Sequence, residues 1–152
     1  MLFYGCEAIP LMMIQKHIYW KLLNSVPTAP PEAGGILGSV NGIVCAYQMD
    51  IGYFAGRGCF YSPNTSFLNS HIKKWQEQGI QFCGIFHTHF FGVQTLSDGD
   101  AWYIRAIMQA MPRCIHQLYF PIVVLPEKEI VSYFAIHNGE MVEIRNDVLR
   151  IV

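Results

Sequence analysis

The stretch GIFHTHFFGVQTLSDGD, residues 84–100, joins an apolar run ending in two histidines to the acidic start of a second apolar pattern. The run begins upstream as IQFCGIFHTH, rich in the β-branched and aromatic residues that favour a strand. Residues two apart on a strand share a face, so His87 and His89 present both imidazoles together at its end. Seven residues then turn the chain before Ser97. Ser97, acids just after it, Ile104, Ile107 and Met111 on one face and Pro112 as a stop spell a capped, core-facing helix. The stretch therefore encodes strand, turn and helix.

The placement of the acids follows from that reading. The chain has four aspartates in all, and Asp98 and Asp100 are two of them. Asp100 falls in the first helical turn on the stripe of Ile104 and Ile107, so its carboxylate faces the strand. Asp98 reads as a solvated first-turn acid favoured by the helix dipole. Two imidazoles and one carboxylate are the three-ligand set of catalytic zinc, with a fourth position left for water.

Working outward, Leu11, Ile14, Ile18 and Leu22 recur every three or four positions and predict a helix over 9–24. Strands are expected over 32–37 and 43–49, joined through the Asn41-Gly42 turn as a hairpin. A short strand over 58–62 precedes PNTS, whose cap candidates start a helix with Leu68, Ile72 and Trp75 inward and Gly79 as its stop. After the third helix, two or three strands are expected, with turns at 126–128 and 138–139. Helices and strands alternating in this order predict one α/β domain over 1–152, a sandwich around a single mixed sheet.

Composition excludes several functions. Ten basic against eleven acidic residues leave a formal charge of −1, so nothing marks a nucleic-acid binder or an anionic-membrane binder. At 52% hydrophobic and 14% charged, the chain is built to bury a core and not to stay disordered. Cys6, Cys45, Cys59, Cys83 and Cys114 are odd in number and widely spaced, which reads as free thiols in a reducing compartment. The N-terminus lacks a basic leader and carries Glu7, and no run reaches the ~18 apolar residues of a membrane span. A soluble, cytoplasmic protein is expected.

A hydrolytic zinc site also needs a proton acceptor and a donor for the developing oxyanion. Glu32, the one acid in the apolar, glycine-rich PPEAGGILG, is the candidate base, against the plainer reading of an exposed edge-strand charge. Ser97 is the candidate oxyanion donor, against the plainer reading that it only closes a Ser-x-x-acid capping box. Cys83, four residues before His87, is expected on the same strand face as a core thiol. Phe90, Phe91, Tyr53 and Phe54 are expected in loops where an extended peptide tail could lie.

Glu32 in EAGGILG, followed by His87, His89, Ser97 and Asp100 in the spacing HxHx7SxxD, resembles the JAMM motif of the MPN-domain metalloproteases. The order of elements is similar over nearly the whole chain, as in a small stand-alone prokaryotic member. The resemblance implies an MPN-type α-β sandwich related to the cytidine deaminases, with one curved mixed sheet flanked by about three helices. It implies one Zn2+ per chain held by His87, His89 and Asp100, Glu32 as general acid/base and Ser97 stabilising the tetrahedral intermediate. Many members cleave isopeptide bonds at the C-terminus of ubiquitin or ubiquitin-like proteins, so the implied partner is such a protein or its conjugate. Phe90 and Leu96 stand where many members have proline, so the loop between them is expected to shape the rim differently. Two other readings stay open: a zinc peptidase releasing an amino acid from a sulfur-carrier protein, and a non-catalytic scaffold. A deaminase is disfavoured because the HxE and PCxxC elements are absent. A homodimer is left open.

Overall fold

The computed structural model describes residues 11–50, 61 and 63–152. Two residues, β1 (Met13–Ile14), precede α1 (Lys16–Ser25). The hairpin follows as β2 (Gly34–Val40) and β3 (Ile43–Met49), then α2 (Thr65–Glu77), β4 (Gln81–His89) and α3 (Asp98–Ala110). Six short strands complete the described chain: β5 (Gln117–Tyr119), β6 (Ile122–Val124), β7 (Glu129–Val131), β8 (Tyr133–Asn138), β9 (Met141–Asn146) and β10 (Arg150–Ile151). All ten strands join one mixed sheet, in the order β10-β1-β3-β2-β4-β5-β8-β9 with β6 and β7 branching from β4.

The period-2 pattern of the strands sorts their side chains into two cores. Leu37, Phe86 and Val123 pack with Ile18, Leu22 and Leu23 of α1 on one face. On the other, Ile36, Ile85 and Leu118 meet Leu68 and Trp75 of α2 and Ile104 and Met108 of α3. Each such fully buried aliphatic contributes roughly 1.5–3 kcal/mol relative to exposure. β4 is the hub: it pairs antiparallel with β2 and parallel with both β5 and β6. A parallel neighbour requires a crossover, and α3 is the crossover between β4 and β5. That is why the helix start and the strand end meet.

Three expectations are corrected, and a fourth falls largely outside the described residues. The first helix begins at Lys16, because Met13 and Ile14 pair parallel with both β3 and β10 and Gln15 is extended, at φ −61 and ψ 137. Ile14, Ile18 and Leu22 are all buried all the same, so a strand residue sustained a helical spacing. The hairpin's first strand starts at Gly34, leaving Glu32 two residues before it. The strand expected over 58–62 lies largely outside the described residues, and Tyr61 is not in a strand. The final two or three strands are six; the division between β5 and β6 falls at Pro121, which has no N–H for a ladder.

Candidate metal centre

His87 and His89 end β4, and their Nε2 atoms converge to 2.9 Å. Asp100 enters from the first turn of α3, with Oδ2 3.1 Å from His89 Nε2 and Oδ1 3.4 Å from His87 Nε2. A tetrahedral ion with ligand bonds of about 2.0–2.1 Å separates its ligands by roughly 3.3 Å. The three groups therefore already stand at the spacing a metal ion requires, and together they can hold one. The donor set fits as well as the distances do. The carbonyl of Val93 lies 3.3 Å from His89 Nδ1. A carbonyl only accepts, so this contact places a proton on Nδ1 and directs Nε2 at the shared point.

Local rules of chain folding put Asp100 there. Ser97 Oγ accepts from the Asp100 N–H at 3.0 Å, and Asp100 Oδ2 accepts from the Ser97 N–H at 2.9 Å, closing a capping box. One carboxylate thus closes the helix start and meets the histidines. Partial burial alone would raise the Asp100 pKa, but hydrogen bonds with His87 and His89 hold its carboxyl far below the usual carboxylate range. Burial would lower His89, yet the hydrogen bond and charge of Asp100, with the charge of Glu32, hold it above its ordinary value.

Thr88, between the histidines and fully buried, fixes the partner strand. Its Oγ1 accepts from the Ala33 N–H at 2.9 Å, and its own N–H donates to the Ala33 carbonyl at 2.8 Å. The ladder is thereby extended past Gly34, which registers with His87. Glu32, next to Ala33, is held beside the histidines. Burial raises the Glu32 carboxyl above its ordinary value, while the charges of His87 and His89 pull it down.

Glu32, His87, Ser97 and Asp100 line one cavity of about 590 Å³, walled by Ile85, Phe120 and the aromatic rings of Tyr61, Trp102 and Tyr103. His89 lies behind it, 5% exposed. All five residues singled out from the sequence are brought together. Asp98 is an exposed first-turn acid, as read. Trp102, 72% exposed at the cavity, gave no signal in the sequence beyond its helical position.

No family profile and no curated protein matches this chain. Among solved structures, a protein from Desulfitobacterium hafniense matches with a TM-score of 0.62 and 18% identity, over 93% of this chain and 94% of that one. A JAB1/MPN domain protein from Archaeoglobus fulgidus matches with a TM-score of 0.54 and 14% identity, over 93% of this chain and 98% of that one. The chain has the MPN fold.

Within the MPN fold two further expectations are corrected. Cys83 packs on the α1 face and not with the histidines, because the β2–β4 register shifts between Leu37 and Gly38 and one residue of β4 bulges. Burial pushes its thiol up to about 12, which makes it an inert core group. Phe90 is a core residue at 9% exposure and offers no surface, whereas Phe91 is 86% exposed at φ 62. Tyr53 and Phe54 lie outside the described residues. Among the described residues Cys45, Cys83 and Cys114 are free, and no helix is long and apolar enough to cross a membrane.

Proposed function

We propose that this chain is a zinc-dependent peptidase that hydrolyses the amide or isopeptide bond at the C-terminus of a ubiquitin-like protein. One observation carries the reading: His87, His89 and Asp100 converge on a point beside a cavity that also receives Glu32 and Ser97. Zinc held by those three ligands would supply a Lewis acid and a water of lowered pKa. The residues of the chain do the rest. The carboxylate of Glu32 takes a proton from the attacking water as its oxygen bonds to the substrate carbonyl carbon. The same proton passes to the amine nitrogen as the carbon–nitrogen bond breaks. Ser97 Oγ spends an acceptor position on the helix cap, which leaves its hydroxyl proton to donate to the developing oxyanion.

The apolar and aromatic walls favour an extended tail of small residues threaded past Trp102 and Tyr103. The JAB1/MPN likeness and the complete HxHx7SxxD spacing support the same reading. Metal analysis and cleavage of ubiquitin-like fusions test it together. The purified protein is expected to hold about one zinc per chain. Glu32→Gln should keep that zinc and lose roughly 10²–10⁴-fold in kcat, and His87→Ala should lose the zinc. Protein without zinc near one per chain, with Glu32→Gln cleaving as the unmodified chain does, would end this reading. Cleavage of a sulfur-carrier fusion in preference to a ubiquitin-like one would move the substrate without moving the chemistry.

A further inference from the structure

We infer that Asp50 and Tyr61 form a positioning device for Glu32, with Asp50 acting through Tyr61. The inference rests on the proposed role of Glu32 as the proton carrier, but its geometry is independent of any metal.

The device is built from five contacts. The Asp50 N–H donates to the Gly34 carbonyl at 2.8 Å, which ties Asp50 to the strand that begins two residues after Glu32. Asp50 Oδ2 accepts from the Tyr61 hydroxyl at 2.9 Å and from the Asn64 N–H at 2.8 Å, so it also anchors the chain entering α2. The Tyr61 ring lies against Gly34, where even a methyl group would meet Tyr61 Cε2 at 2.5 Å. From that seat Tyr61 lines the same cavity as Glu32, where a main-chain hydrogen bond from Tyr61 favours the ionised Glu32 carboxyl.

Each contact closes a degree of freedom. The ring on Gly34 fixes where Tyr61 sits, and the hydroxyl on Asp50 fixes how it is rotated. The N–H that meets Glu32 is then aimed by a bond on the other end of the same residue. Burial and the Asp50 charge hold the Tyr61 hydroxyl well above its ordinary value, so it stays a donor at every working pH. A proton carrier misplaced by a fraction of an ångström loses rate out of proportion to stability. Glu32 precedes the strand, and the contact from Tyr61 adds to the hold that the Ala33–Thr88 pairing gives its neighbour.

The experiment compares Tyr61→Phe, Asp50→Ala and Asp50→Asn by amide hydrogen exchange on the metal-free full chain, and then by kinetics with zinc. Tyr61→Phe keeps the ring on Gly34 and removes only the bond to Asp50. It should speed exchange at the residue-61 amide roughly tenfold, the worth of one such hydrogen bond. The Thr88 amide, bonded to Ala33, should exchange as before. Asp50→Ala should behave alike, and Asp50→Asn, which keeps an acceptor oxygen, should stay within about twofold of the unmodified chain. In cleavage, Tyr61→Phe should lower kcat roughly 10- to 100-fold with KM changed less than about twofold. Unchanged exchange at residue 61 in Tyr61→Phe overturns the inference, and so does equal acceleration at Thr88 or a loss carried by KM alone. If Asp50→Ala fails to fold, Tyr61→Phe still decides. A chain that cleaves nothing refutes the proposed function, while the exchange result still decides the positioning.

Discussion

Asp100 binds the helix cap and the histidine pair with one carboxylate, and the two duties respond to pH in opposite ways from His89. A carboxyl held below its ordinary value of 3.8 stabilises the fold above that pH and loses the contribution as pH falls through its lowered value. His89, raised above 6.5, contributes fully below that pH and loses the contribution as pH rises through its folded value. A metal ion must displace the His89 proton, so protons and zinc compete there. Zinc should therefore raise the unfolding midpoint more at about pH 8 than at about pH 6, with the crossover above the ordinary histidine range. Equal stabilisation at the two pH values would show that His89 is not a ligand. At this scale the site was legible because its residues are tied by spacing: His87 to His89 by the strand period, Ser97 to Asp100 by the capping box. The partners that aim them were not. Val93 contributes only a carbonyl, Thr88 works through a partner strand 55 residues away, and Asp50 works through a tyrosine. No side-chain chemistry announces such contacts in advance.

Among the elements, β4 decides the rest, since it carries both histidines and meets β2, β5 and β6. Its approach to β5 is so close that a Cβ on Gly84 would run into the Tyr119 carbonyl oxygen and lie 3.0 Å from the carbonyl carbon. Gly84 and Tyr119 are the one registered pair between these strands, so neither backbone can shift without opening the sheet. Gly84→Ala should cost roughly 1–3 kcal/mol, lowering the thermal midpoint by roughly 2–10 °C. Gly99→Ala in α3, where a Cβ meets only Ser97 Oγ at 3.7 Å, should be neutral or mildly stabilising. Calorimetry on both variants checks the contrast, and a harmless Gly84→Ala would mean that the β4–β5 contact is looser than described. The long elements, α2, α3, β3 and β4, were readable because each spans several periods of its own pattern. The two-residue strands β1 and β10 complete no period at all, and Ile14 even mimics a helical position. Cys83 shows the complementary failure, since a bulge resets a strand's faces without any mark in the residues beside it.

Across the whole molecule, the sheet closes through pairing between segments at opposite ends of the described chain. β1 lies between β3 and β10, and the Arg150 and Val152 N–H groups donate to the Met12 and Ile14 carbonyls at 2.9 Å each. Such short ladders hold few hydrogen bonds, so the side chain that gathers them matters more than their length suggests. Asp147 is that side chain. Its Oδ2 accepts from the Met12 N–H at 2.8 Å, and its Oδ1 accepts from the Val148 N–H at 2.8 Å. The Asp147 N–H in turn donates to the carbonyl of Ser132, whose side chain is buried, at 2.9 Å. Three separated parts of the chain thus meet at one residue. Asn in its place has the same shape but only one acceptor oxygen, so one main-chain N–H is left facing an amide NH2. Asp147→Asn should cost roughly 1–3 kcal/mol, the penalty for a donor left without its acceptor. The loss should be read at the closure itself: amides of β1 and β10 should exchange faster while those of β4 keep their protection. Because the proposed ligands His87, His89 and Asp100 hang on β4 and α3, zinc binding should be unchanged in this variant. Faster exchange across β4, or weakened zinc binding, would mean instead that the closure of the sheet and the site unfold as one unit.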